Sequence, residues 1–262
     1  MTPDEHRAAA RGLFEAERTG VQIGLLSRRF PGMTLDDAYA VQAQFVALKH
    51  EAGRTTIGWK IGLTSRAMQE ALKITTPDSG VLLDDMLFET GATVPEGRFI
   101  QPRVEAEIAF LMKAPLSGPV TPAQVLEATE CVTPSLEILD TRILRSEGGR
   151  ARIITDTVSD NAANAGIVLG AERHAPDIDL RWTGAIVSRN GTVEETGLGA
   201  GVLGDPALSV AWLSERLGRY GMGIEAGQWV LSGSFIRPVE CPPGARIEAD
   251  FGGFGRVEVA FA

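Results

Sequence analysis

The stretch from Arg98 to Met112 constrains this chain more than any other. Within it Val104, Ala106, Ile108 and Phe110 alternate with Arg103, Glu105, Glu107 and Ala109. Such period-two alternation predicts a β-strand with one apolar face for a core. The opposite face then carries two carboxylates about 7 Å apart along the strand. Like charges this close repel unless something positive sits between them. A hard divalent cation with oxygen ligands answers that need. Glu137, among the strand-like apolar residues of Pro134-Ser-Leu-Glu-Ile-Leu-Asp140, supplies a third acid. Three carboxylates on two strands predict a one-metal site; the bland alternative is a solvated outer face of a sheet.

The rest of the chain supplies a setting for that strand. Thr2-Pro-Asp-Glu5 is a capped helix start, and Thr34-Leu-Asp-Asp37 opens a second helix with Ala38, Val41, Phe45 and Leu48 on one face. Residues 1–55 therefore read as a helical region packed on a core spanning 56–262, with no chemistry of its own. Thr56–Leu63 is strand-like, and Lys60 inside it either snorkels to solvent or faces a polar cavity. Ser65–Leu72 reads as a short helix and Thr75–Gly80, with Asp78, as a turn-rich loop. Further on, Ser146–Arg152 reads as a flexible basic loop and Thr155–Gly166 as a long loop of Asp, Asn and small residues. Asn190-Gly191 predicts a two-residue hairpin turn, Asp205-Pro206 a helix start, and Trp229–Phe235 a buried strand. Arg246–Phe251 and Gly255–Phe261 alternate like a closing antiparallel pair.

Several classes are disfavoured. A net charge of −9 over 262 residues argues against non-specific binding to nucleic acid or anionic membranes. No Gly-x-Gly-x-x-Gly follows a strand, and the three histidines sit in no motif. Cys131 and Cys241 lack a zinc-type spacing and read as core thiols. A polar N-terminus and the lack of a long apolar run predict a soluble, cytoplasmic protein.

The ordered set Gly58–Thr64, Pro77–Gly80, Gln101–Ile108, Pro134–Glu137 and Asp156–Ala162 resembles the 2-oxo-4-enoate hydratase and 4-oxalocrotonate decarboxylase family. That family has the fumarylacetoacetate hydrolase-like fold. Leu82–Met86, Ser159–Gly166, Arg189–Gly191 with Glu194–Gly197, and Gly233–Pro238 resemble its branch acting on a seven-carbon dioate. Trp59 departs from that branch, where some members carry His.

The resemblance implies an α+β fold: a mixed β-roll or barrel core with N-terminal and peripheral helices. It implies a homo-oligomer and a small 2-oxo-enoate or dioate substrate. Glu105, Glu107 and Glu137 become the ligands of one Mg2+ or Mn2+, with Lys60 and Asp78 as acid–base groups. Asp156, Asn161 and Ser234 become substrate contacts. Arg237 is the expected partner of a second substrate carboxylate, with Arg150 and Arg152 as rivals. The implied reaction is conjugate addition of water. Hydration of a five-carbon 2-oxo-enoate, decarboxylation of a 2-oxo-enedioate and a non-catalytic oligomeric partner are the alternatives.

Overall fold

A computed structural model describes residues 1–66, 69–70, 74 and 76–262. The helix expected over Ser65–Leu72 and the start of the Thr75–Gly80 turn lie largely outside the described residues.

Six α-helices are described: α1 (Pro3–Thr19), α2 (Leu26–Arg29), α3 (Leu35–Glu51), α4 (Pro122–Ala128), α5 (Ile154–Ser159) and α6 (Pro206–Gly218). The strands are β1 (Thr56–Gly62), β2 (Asp78–Leu83), β3 (Leu87–Glu89), β4 (Ala92–Val94), β5 (Arg103–Met112), β6 (Thr129–Leu139), β7 (Ser146–Glu147), β8 (Arg150–Ala151) and β9 (Asn164–Leu169). They continue as β10 (Gly184–Arg189), β11 (Thr192–Leu198), β12 (Trp229–Leu231), β13 (Val239–Glu240), β14 (Arg246–Asp250) and β15 (Arg256–Phe261). The capped starts at Thr2 and Thr34 act as the sequence predicts, and Thr121 opens α4 in the same way. Thr2, Thr34 and Thr121 each accept a hydrogen bond from the backbone three residues on, and each is answered by the side chain there.

A mixed eight-stranded sheet runs β2-β1-β12-β5-β6-β9-β3, with β13 also on β5. A second sheet of five strands runs β11-β10-β14-β15-β4. The apolar face of β5 meets the second sheet and α6. Val104, Ala106, Ile108 and Phe110 share one core with Val187, Ala249, Val257, Val259, Val210 and Leu213. That packing turns Glu105 and Glu107 to the other face. There Leu82, Ala109, Ile167, Leu169 and Leu231 form a separate small apolar cluster.

The helical layer does more than cover the sheet. Ala9, Leu13, Val41 and Phe45 share a core with Val81, Leu83 and Met86. Gln42 donates to the carbonyls of Ser79 (2.9 Å) and Val158 (3.0 Å), and the Ser79 amide donates to the Tyr39 hydroxyl (3.2 Å). These bonds pin the start of β2, and with it Asp78.

Four expectations are corrected. Asp78 is the first residue of a strand, because Gly62 and Asp78 are register partners at the end of the β1–β2 pair. Thr155–Gly166 is not a loop: it folds into α5, a 3₁₀ turn and the start of β9, with Asp156 and Asn161 bonded inward. Ser146–Arg152 is a short β7–β8 hairpin turned by Gly148 and Gly149 at positive φ. The strand at Trp229 stops at Leu231, ahead of Gly233 at φ +109°. Cys241 is buried as expected, whereas Cys131 is only half-buried.

Candidate active site

Register alone brings the polar residues of four strands to one face. Glu105 stands opposite Glu137 and Glu107 opposite Ser135 across β5 and β6. Lys60 pairs with Leu231, which pairs with Ala109, two residues along β5 from Glu107. Lys60 also pairs with Gly80, and Gly62 with Asp78. Side chains of paired residues share a face, so Lys60, Asp78, Glu105, Glu107 and Glu137 converge. One carboxylate oxygen from each of Glu105, Glu107 and Glu137 lies within 4.8 Å of the others.

Lys60 does not snorkel. It is 3% exposed, and its Nζ lies 3.3 Å from Glu137 Oε1, an ion-pair contact without hydrogen-bond alignment. Glu107 Oε2 accepts from the Gly233 amide at 2.7 Å. Its Oε1, both oxygens of Glu137 and Oδ1 of Asp78 are buried with no hydrogen-bond donor. Buried carboxylate oxygens without donors are costly unless a further ligand completes them. Glu105, half-buried, is the most open of the five.

The electrostatics agree with the geometry. Burial raises the pKa of Glu105 to about 8, with Glu137 adding to the rise and Lys60 opposing it. Burial likewise raises Glu107, Glu137 and Asp78 above the ordinary carboxylate range. Burial opposes the charge on Lys60, yet the carboxylates around it, Glu137 foremost, hold its pKa above the usual lysine value. Four carboxylates against one ammonium leave a deficit of positive charge that a divalent cation would fill. The oxygen-only donor set fits Mg2+ or Mn2+.

Other expected residues lie elsewhere or do other work. Asp156 is not open to a ligand: its carboxylate accepts from the Ser27 amide (2.8 Å), the Ser27 hydroxyl (2.7 Å) and the Ile153 amide (3.0 Å), tying α2 to α5. Asn161 clamps β2, its side chain bonding both the amide and the carbonyl of Val81 at 2.8 and 2.9 Å. Ser234 bonds the backbone of Ile236, directly after the Gly233 amide that holds Glu107. Arg237 lies at the surface, 78% exposed and paired with Glu195 at 2.7 Å. Arg150 is exposed, while Arg152 is half-buried and its charge is felt by Asp78.

Sequence reading missed Ser232, whose buried hydroxyl has no partner beside Gly233, and Arg216, which stacks on Tyr39 at 3.6 Å and reaches Ser79 Oγ at 3.3 Å. Ser232 follows a strand too short to show alternation. Arg216 read only as part of a helix surface.

A mixed sheet carrying this acid cluster has the fumarylacetoacetate hydrolase-like fold. A 2-hydroxyhepta-2,4-diene-1,7-dioate isomerase from Mycobacterium marinum shares it at TM-score 0.59, with 14% identity, covering 79% of this chain and 75% of that one. The chain belongs to the 2-oxo-4-enoate hydratase and 4-oxalocrotonate decarboxylase family. It is 48% identical over 260 residues to the 2-oxo-hept-4-ene-1,7-dioate hydratase of Escherichia coli, covering 98% of this chain and 97% of the relative. The 4-oxalocrotonate decarboxylase from Pseudomonas putida G7, complexed with magnesium and adipate, superposes at TM-score 0.94 with 34% identity, over 100% of this chain and 99% of that one. No family model matches the chain.

Proposed function

We propose that the chain is a metal-dependent hydratase. It takes 2-oxohept-4-ene-1,7-dioate through its 2-hydroxy-2,4-diene tautomer and gives 4-hydroxy-2-oxoheptane-1,7-dioate. The observation that carries this reading is the cluster of Glu105, Glu107 and Glu137 beside buried Lys60 and Asp78, in a chain 48% identical to a relative of that name. Glu105, Glu107 and Glu137 would hold Mg2+ or Mn2+, which supplies Lewis-acid polarisation of the substrate's 2-oxygen and C1 carboxylate.

The chain's own residues then move protons. Asp78, with Oδ1 free of donors, takes the proton of the 2-hydroxyl. Lys60, held protonated by its neighbours, delivers a proton to C5, which leaves a C3=C4 enone. Neutral Lys60 next takes a proton from water as its oxygen bonds to C4. The electron pair moves to the 2-oxygen, and Asp78 returns its proton to C3. Both residues end as they began, with one water added.

The same acids suit loss of CO2 from a 2-oxo-enedioate, and the 0.94 superposition on a decarboxylase gives that reading its weight. The test is to follow dienol disappearance by UV absorbance on seven- and five-carbon substrates, with Mg2+ and with chelator. A product heavier by one water supports the hydratase. Release of CO2 overturns it in favour of the decarboxylase. No metal binding and no turnover would leave an oligomeric partner without catalysis.

The reading extends to the whole assembly. Residues 1–55 and 56–262 act as one unit, supported by the core that α1 and α3 share with β2. The large sheet curls as a roll, supported by the apolar cluster on its acid-bearing face. Exposed Trp182, Ile186, Val193 and Leu198 on and beside β10 and β11 support a homo-oligomer. No helix among the described residues is long and apolar enough to cross a membrane, which suits the cytoplasmic location proposed.

A further inference from the structure

The acid cluster is closed at one end and open at the other. Glu107 and Glu137 are fully buried, while Glu105 and Arg103, on the same face of β5, are half-buried. The open end is therefore at Arg103, about 7 Å along the strand from Glu105.

Three guanidiniums gather there. Arg103 Nε donates to Glu240 Oε1 at 2.7 Å, and Arg145 Nη1 reaches the same oxygen at 3.2 Å. Arg145 also donates to the Gln101 carbonyl at 2.9 Å, but its Nε is buried with no partner. Arg152 is tied to Arg145 by a backbone hydrogen bond of 2.9 Å across the β7–β8 hairpin. Its guanidinium donates to one neutral acceptor, the Thr141 hydroxyl, at 3.0 Å. It makes no ion pair among the described residues. Burial, then repulsion from Arg103, lowers the pKa of Arg145; burial lowers that of Arg152 despite Asp160, with repulsion from Arg145 and Arg103 adding to the fall. Two of the three cations thus share one carboxylate, Glu240, and Arg152 has none in contact, in a protein of net charge −9.

The geometry points to Arg152, backed by Arg145 and Arg103, as the group that binds the far carboxylate of a dianionic substrate whose 2-oxo end lies at Glu105, Glu107 and Glu137. This deepens the proposed function and rests on it. Arg152 is central for two reasons: it is the unpaired member of the three, and its charge also reaches Asp78. A guanidinium offers a carboxylate two parallel N–H donors. A seven-carbon dioate carries a second carboxylate for the arginines to hold, and a five-carbon monoacid would leave them unused. Arg237, which pairs with Glu195 in solvent, is freed from that role.

The test measures binding and turnover separately. Calorimetry with Mg2+ present compares 2-oxoheptanedioate with 2-oxopentanoate, saturated analogues that cannot be hydrated. Wild type should prefer the dioate. Arg152→Ala should weaken dioate binding by at least about 30-fold and leave 2-oxopentanoate unchanged. Arg152→Lys, which keeps the charge and loses the fork, should fall between. In turnover, Arg152→Ala should raise KM for the seven-carbon dienol alone. No preference in wild type, equal losses on both analogues, or no loss on either overturns the assignment. Absence of hydratase turnover in wild type would sink the proposed function instead, and the binding comparison would still decide the role of Arg152.

Discussion

Glu105 and Glu137 stand directly opposite one another on β5 and β6, and neither has a hydrogen-bonded cation to itself. Directly paired like charges destabilise a sheet, and burial multiplies the cost. The arrangement makes sense only with a ligand between the strands. Glu137→Gln keeps the shape and removes one charge. It should lower Mg2+ affinity by more than the roughly 10–100-fold expected for losing a mere supporting partner. It should also raise the Tm of the metal-free protein while abolishing the Tm increase that Mg2+ gives wild type. Unchanged Mg2+ binding by calorimetry would refute the metal assignment.

The pH dependence has a definite sign. Burial and Glu137 raise Glu105 to about 8, so the metal-free fold prefers its protonated form. A raised carboxylate contributes stability that is present below its ordinary pKa and lost as pH rises through the raised one. Metal-free protein should therefore lose Tm as pH climbs from about 5 to about 8, with Lys60 still charged throughout. Mg2+ should cancel the loss and release protons on binding. Melting curves with chelator and with Mg2+, and calorimetry in buffers of different ionisation enthalpy, check both halves. A flat metal-free profile would contradict it.

Lys60→Met removes the one ammonium in the cluster. Metal binding should survive or tighten, because a competing cation has gone. Turnover should fall by roughly 100-fold or more, the usual cost of a lost acid–base group. Stopped-flow assays beside a Mg2+ titration separate the two effects. Wild-type turnover would reduce Lys60 to a structural counter-ion.

Arg142 makes a different demand. It is 2% exposed, ion-paired to Asp160 and donating to the carbonyls of Asp160 and Asn164 at 2.9 Å each. It joins the end of β6 to the turn after α5 and reaches Glu17 of α1 at 3.5 Å. Arg142→Ala leaves Asp160 buried without its partner and should cost about 3–5 kcal/mol. Urea unfolding measures this directly; a change near zero would mean the pair is solvated.

The acid cluster was legible because a strand's period of two puts Glu105 and Glu107 on one face whatever the tertiary fold. Lys60 was legible as an anomaly in an apolar strand. What lay beyond reach depended on register between distant strands. Asp78 looks like a turn residue until Gly62 is set opposite it. Arg152 is one of three candidate arginines for a second carboxylate, and only the hairpin sets it beside Arg145. Asp156 and Asn161 carry chemically able side chains, and only the structure shows Ser27 and Val81 occupying them. The fold type and the family came from resemblance, since strand order cannot be read from alternation.

Gly62 tests how far Asp78 depends on that register. A Cβ on Gly62 would lie 2.2 Å from Asp78 Oδ1 and 3.0 Å from Lys60 Nζ. The absence of a side chain is what lets the carboxylate lie against β1. Gly62→Ala leaves Glu105, Glu107 and Glu137 untouched but must push Asp78 aside. A displacement of about 1 Å in a reacting group can cost about 100-fold in rate. Turnover should therefore fall by about that factor while Mg2+ affinity stays within about twofold of wild type. The strand should persist, since Gly62 lies outside the left-handed region and alanine tolerates its backbone. Retained turnover would show that Asp78 is not the proton carrier. Loss of metal binding would show that the shift had spread to the glutamates, making Asp78 a structural support for the cluster.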